Sequence, residues 1–218
     1  NQRLSAGRYD FSFNCELPAN LPENVFLLHG GRIEYKVTAV LDIPWKSDKE
    51  KSVEFTIKRN DSLNDFPVLR HPIETKEERH LAGCFHRNVG LCKMKISIPN
   101  GGYIRGEKIP IIIECVNSSN IDIEKIKVEL IQKIKVICTE PSRKTKSTMP
   151  ETIAEKRAAG VNSGTSKTQE VLLPIPACCL SSNENFCKII TIKYFILIHG
   201  KTKWYHEGFK FEIPFKVM

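Results

Sequence analysis

The stretch KIKVELIQKIKVICTE, from Lys125 to Glu140, alternates strictly. Ile126, Val128, Leu130, Ile134, Val136 and Cys138 fall on one side, and Lys125, Lys127, Glu129, Lys133 and Lys135 on the other. A repeat of two held over that length is a strand, because a helical period of about 3.6 would scatter the apolar positions around the axis. The pattern recurs. In GRIEYKVTAVLDI, Ile33, Tyr35, Val37, Ala39 and Leu41 oppose Glu34, Lys36, Thr38 and Asp42. SVEFTIKR and IITIKYFILI continue it, and in GFKFEIPFKV Phe209, Phe211, Ile213, Phe215 and Val217 alternate with Lys210, Glu212, Pro214 and Lys216. Proline lacks a ladder donor, so this last strand reads as an edge strand or a bulged one. The chain is expected to be all-β.

With 218 residues it has room for one large or two ordinary domains. Two polar stretches divide it. RNDSLNDFPVLRHPIETKEERH, from Arg59 to His80, reads as a linker. The Ser/Thr/Lys-rich stretch from Glu140 to Glu170 reads as a long exposed loop between strands, with PETIAEKRAA open to a helical turn or two. The division expected is 1–80 and 81–218, the latter with a long loop at 140–170. The second unit holds enough strands for an Ig-like antiparallel sandwich, which takes roughly 100 residues and about seven strands. The first is too short and would leave an apolar sheet face uncovered. It is therefore expected to be an incomplete sandwich whose first strands lie upstream of Asn1.

Composition narrows the function classes. The formal charge is +8, with basic residues spread along the chain. A diffuse positive surface suits anionic membranes or phosphorylated partners. Without a groove-reading helix or stacking motif it does not point to nucleic acid. No apolar run has the length of a membrane helix; IITIKYFILIHG is interrupted by Lys193. Eight cysteines lie mostly inside apolar stretches such as IIIECVNSS and KVICTE, where free thiols pack as small hydrophobes. A secreted, disulfide-framed sandwich is the alternative, and a count of free thiols separates the two.

The residues carry resemblances in a fixed order. LPANLPENVFLLHGGRIEYKVTAVLDIPW followed by DKEKSVEFTI resembles the second half of an arrestin N-domain, and most of all that of the alpha-arrestins, the arrestin-domain-containing proteins. TKEERHLAGCF resembles their interdomain connection. GGYIRGEKIPIIIECVNSS resembles the strand pair that opens their C-domain, and LLPIPACC with CKIITIKYFILIHG a later C-domain segment. The motifs have physical sense: the prolines of LPANLPEN hold an extended, donor-poor approach to a sheet edge, and Gly30 and Gly31 suit the hairpin before the strand.

The resemblance implies the arrestin fold of two β-sandwiches and a non-enzymatic adaptor. Such an adaptor binds the cytoplasmic tails of membrane receptors or transporters. It recruits HECT-type ubiquitin ligases through P-P-x-Y motifs in a tail after the C-domain, works with endosomal sorting machinery, and is cytoplasmic until recruited to the plasma membrane or endosomes. The 218 residues contain no P-P-x-Y, so a C-terminal tail beyond Met218 is expected to carry the ligase contact. The alternative is a structural endosomal sorting or coat subunit of arrestin fold without ligase recruitment.

Lys58 is the one candidate binding residue. SVEFTIKR resembles the arrestin strand that bears a phosphate-sensing arginine, and Lys58 falls on that position, as a point charge rather than a bidentate fork. The corresponding C-domain loop offers only Glu184 where acidic partners are needed; the bland reading of Lys58 is a solvated lysine at a strand end. His80, Cys84, His86 and Cys92 are soft-ligand types, but their spacing fits no standard zinc pattern, and no metal or other cofactor is expected. Cys178, Cys179 and Cys187 are open to a redox role or to burial. Glu77 and Glu78 read as solvated, and Trp45 and Trp204 as packing or interface aromatics. No nucleophile elbow, phosphate-binding loop or H-E-x-x-H appears, so no catalytic residue is assigned.

Overall fold

In a computed structural model, the described residues are 6–27, 31–59, 61–82, 88–140, 143–202 and 208–218. The chain is all-β, with the arrangement of two β-sandwich units. In the first part, β1 (Val25–Leu27) pairs antiparallel with β2 (Gly31–Ile33), and β3 (Tyr35–Leu41) with β4 (Lys49–Phe55). The β3–β4 ribbon is closed by a turn in which the Lys46 N–H donates to the Ile43 carbonyl at 3.1 Å, with Trp45 at φ 64°. The alternation of β3 is real, yet Val37 and Leu41, with Val53 opposite Val37 on β4, are exposed, and nothing among the described residues covers their face; Val40, on the other face, is exposed too.

The second part is a two-sheet sandwich. Its strands are β5 (Ile73–Ala82), β6 (Asn88–Ile98), β7 (Gly102–Tyr103), β8 (Lys108–Ser119), β9 (Ile123–Glu140), β10 (Arg143–Val161), β11 (Thr165–Pro174), β12 (Ile190–Lys201) and β13 (Phe209–Val217). One sheet runs β10-β9-β12-β13-β7 and the other β11-β8-β6-β5. The inward positions of the alternating strands interlock between them: Ile109, Ile111 and Ile113 from β8, Ile126, Val128 and Leu130 from β9, Ile192, Ile196 and Ile198 from β12. Each such side chain contributes about 1.5–3 kcal/mol on burial, so this layer carries the stability of the unit. One inward position of β9 is polar. Gln132 is buried and donates to the Tyr194 hydroxyl, which in turn donates to the Leu180 carbonyl, so a polar residue on the apolar face is satisfied there.

Two polar stretches differ from expectation. The 140–170 stretch is not a loop: β10 pairs with β9 along nearly its whole length and turns at 162–164 into β11, which pairs with β8. PETIAEKRAA forms no helical turn; it is strand, with a register shift between Thr152 and Ala154. The reason is position. β10 and β11 are both edge strands, and β10 buries only a few side chains such as Ala158 and Val161, so its sequence needs no apolar stripe. The 59–80 linker likewise holds two 3-10 turns, Leu63–Asp65 and Pro67–Arg70, and then β5. β5 is the edge of the four-stranded sheet and answers β6 with ion pairs, Glu78 to Lys93 at 2.8 Å and Glu74 to Lys95 at 3.7 Å. Pro214 sits where β13 has a neighbour on one side only, because β7 pairs no further than Lys216 and Val217.

The β1–β2 hairpin joins the two parts. Val25 is buried in the core of the second sandwich, Leu27 and Ile33 pack against that core, and a Cβ on Gly31 would stand 3.4 Å from the Ile190 side chain.

Candidate functional site

The two parts meet at an open cleft of about 640 Å³. One wall is the approach to β1, with Glu23 and Asn24; a second is the segment after β4, with Lys58, Arg59 and Asp61; a third comes from the β7–β8 turn, with Arg105, and from the loop after β11, with Cys178 and Cys179. Local bonds set these walls. The Ile57 N–H donates to the Asn24 side-chain oxygen at 2.8 Å, and Tyr35 donates its hydroxyl proton to the Pro22 carbonyl at 2.9 Å, so the Leu-Pro segment is stapled to the end of β4. In the β7–β8 turn, the Arg105 N–H donates to the Met218 carbonyl at 3.0 Å, and Gly106, at φ 89°, takes a conformation a side chain would strain.

The charges in the cleft are mostly spoken for. Arg105 forks onto Glu23, 2.9 Å to Oε1 and 3.3 Å to Oε2, and Glu23 Oε1 also accepts the Arg59 backbone N–H at 2.9 Å. Arg59 forks onto Asp61 at 2.8 and 2.9 Å, and its guanidinium lies 3.7 Å from the centre of the Phe186 ring. Glu23 is thus a clasp: one carboxylate bonds a backbone group of the first part and a side chain of the second. Lys58 is exposed and, among the described residues, makes no ion pair, so it is the cation of the cleft left to meet an anion.

Glu184 is not brought to Lys58. It lies on another groove, 3.6 Å from Lys193 and 3.7 Å from Lys216. Cys84, His86 and Trp204 lie outside the described residues, and no cluster of three metal-ligand side chains exists among those described. His80 is exposed, whereas Cys92 is in the core with its sulfur 3.7 Å from that of Cys115. Contact with Cys92 and burial push the Cys115 thiol up, away from the reactive thiolate form. Cys178 is exposed at the cleft; Cys179 is buried, and burial raises its thiol too. The seven described cysteines are free thiols. Glu77 and Glu78 hold surface ion pairs with Arg79 and Lys93, and Trp45 is fully exposed.

Sequence reasoning missed Glu23, Arg59, Asp61 and Arg105. Glu23 and Arg105 do stand inside motifs already quoted, LPANLPEN, an extended approach to a sheet edge, and GGYIRGEKIP, part of a strand pair, neither of which marks them as partners. Their opposite charges were visible; their meeting across 82 positions was not.

Comparison with known proteins follows the same division. A profile described as "Arrestin (or S-antigen), C-terminal domain" matches residues 88–218, and one described as "Arrestin (or S-antigen), N-terminal domain" matches residues 1–64. Arrestin domain-containing protein 4 of Mus musculus is 29% identical over 198 residues, covering 90% of this chain and 45% of the relative. Arrestin domain-containing protein 17 of Caenorhabditis elegans is 31% identical over 117 residues, covering 54% and 27%, respectively. Arrestin domain-containing protein 1 of Homo sapiens is 26% identical over 201 residues, covering 91% and 44%. The chain spans less than half the length of these relatives.

Proposed function

The chain belongs to the arrestin family, and from that premise we propose that it is a non-enzymatic adaptor that binds the cytoplasmic tails of membrane-protein cargo and links them to ubiquitin-ligase-dependent endocytosis and sorting. The observation that carries this reading is the cleft at the junction of the two parts, in which paired charges hold the walls and Lys58 has no counter-ion among the described residues. An exposed lysine beside two neutralised arginines is a place for one phosphate of a phosphorylated tail. The adaptor works in the cytoplasm and is recruited to the plasma membrane or endosomes. A HECT-type ligase is engaged through a P-P-x-Y motif, which these 218 residues do not contain, so the ligase arm is tested on the whole protein by WW-domain pull-down.

The cleft is tested by titrating a fluorescent phosphoserine tail peptide and its unphosphorylated twin against the protein and its Lys58→Glu variant. The expected result is a preference for the phosphopeptide that falls about tenfold or more in the variant, the scale of one charge-assisted bond lost and one repulsion gained. Equal binding of both peptides, or a variant that binds as well as the parent, refutes the role of Lys58. Failure to bind any cargo tail favours a structural sorting or coat subunit.

A further inference from the structure

The groove that holds Glu184 lies beside the cleft. It has a volume of about 340 Å³. The connector between the two parts supplies one wall, with Phe66, Pro67, Val68 and Leu69; the loop before β12 and the end of β13 supply the other, with Phe186 and Val217. Val68 is 79% exposed at its lip, an apolar side chain presented to solvent rather than to the core. The connector here is held in shape. Ser62 caps the Leu63–Asp65 turn while the Asp65 carboxylate accepts the Ser62 N–H at 2.9 Å, and the Gly101 N–H donates to the Leu69 carbonyl at 2.7 Å. A preformed apolar groove of this size accepts one or two large side chains without a large ordering cost.

The charge around the groove says what kind of chain would bring those side chains. Cations outnumber acids on this protein by eight, yet the groove is lined by three carboxylates, Asp61, Asp65 and Glu184, and one ammonium, Lys216. Asp61 is neutralised by Arg59. Glu184 is held loosely by two lysines, at 3.6 and 3.7 Å. Asp65 is exposed, and among the described residues it has no cationic partner. An uncompensated carboxylate beside an apolar groove, on a strongly basic protein, is complementary to a cation carried next to an apolar anchor. The Phe186 ring already receives one guanidinium, that of Arg59, and so presents the kind of surface on which arginine stacks.

We propose that this groove is a docking site for a peptide segment of a partner protein in which a large apolar side chain is flanked by arginines. The apolar side chain enters between Phe66, Leu69 and Phe186, and an arginine meets Asp65 at the rim. This site is separate from the Lys58 cleft and asks for the opposite charge, so a basic peptide engages it whether or not the cleft takes phosphate. Because one wall is the connector itself, an occupied groove also stiffens the junction between the two parts.

The test uses fluorescein-labelled peptides of the sequence GSRLFRSG, its acidic counterpart GSELFESG, and GSRSSRSG without the anchor, titrated against the protein by fluorescence anisotropy. The expected result is saturable binding of the first at least tenfold tighter than of the other two. Asp65→Asn keeps an oxygen for the Ser62 cap, and it should weaken the basic peptide severalfold while narrowing its advantage over the acidic one. Val68→Ser removes the apolar lip without adding a charge, at an exposed position where folding is not at stake, and should weaken the Leu-Phe anchor of the basic peptide. Lys58→Glu should leave this binding unchanged. No saturable binding up to about 1 mM peptide, equal binding of basic and acidic peptides, or binding unaffected by both groove variants overturns the proposal. Self-association of the protein that Val68→Ser abolishes would also overturn it, by assigning the groove to a second copy of the chain.

Discussion

Replacing Glu23 by glutamine tests the clasp between the two parts. The Glu23 side chain is 12% exposed and that of Arg105 26%, so this pair is neither a solvated surface bridge nor a fully buried one. Exposed pairs contribute about 0–1 kcal/mol, and breaking buried ones costs about 3–5 kcal/mol. The bidentate geometry and the additional Arg59 N–H on the same carboxylate place Glu23→Gln between these, at about 2 kcal/mol. The amide oxygen still accepts one N–H, so the loss is mainly that of charge opposite Arg105. If the loss is confined to the junction, native-state hydrogen exchange should read it as roughly a 30-fold faster opening at the Ile57 and Arg59 amides. Core amides such as that of Ile111 should exchange as before. A cycle with Arg105→Gln should show a coupling of about 1–2 kcal/mol that shrinks in high salt. A coupling below about 0.3 kcal/mol, or faster exchange spread evenly through both sheets, would refute the claim that this carboxylate holds the two parts together.

Other outcomes follow from buried groups. Tyr194→Phe leaves Gln132 and the Leu180 carbonyl short of a partner and should cost about 1–2 kcal/mol in urea denaturation. Burial raises the folded Tyr194 phenol above its ordinary 10.0, so its share of stability is full below about pH 10 and falls as pH rises further; the parent should lose stability on that alkaline limb faster than the variant. Asn117→Ala removes the amide that donates to the Ile121 and Val161 carbonyls and accepts from Ser119, and should cost about 3 kcal/mol by the same measurement. Gly90→Ala places a Cβ 2.5 Å from the Ser119 Cα at φ 126°, a backbone clash with no flexible neighbour to yield, and should lower the melting temperature by several degrees or prevent folding.

The core strands were legible because each buries one face between two sheets, so every second residue had to be apolar: β9, β12 and β13 declare themselves in this way. The edges were not. β5 and β10 satisfy their backbones on one side and meet solvent on much of the rest, so polar side chains do not betray them as strands. The LPANLPEN and GGYIRGE motifs announced extended approaches and turns, and Lys58 could be singled out only through the resemblance of SVEFTIKR to an arrestin strand.

By itself, then, the sequence determined the strand class of the chain and most of its inward residues, because alternation is a local property that the pleat of one strand imposes. Three arrangements depended on the tertiary structure. It brought Glu23 to Arg105 and so made a clasp of two residues from motifs far apart in the chain. It sent Glu184 away from Lys58 to a different groove. It left Asp65 without a cationic partner among the described residues, on a protein rich in cations. Each depends on which distant segments pack together, and packing decides the value of a charge: the same carboxylate is a clasp, half of a loose bridge or an open contact according to what the fold sets opposite it.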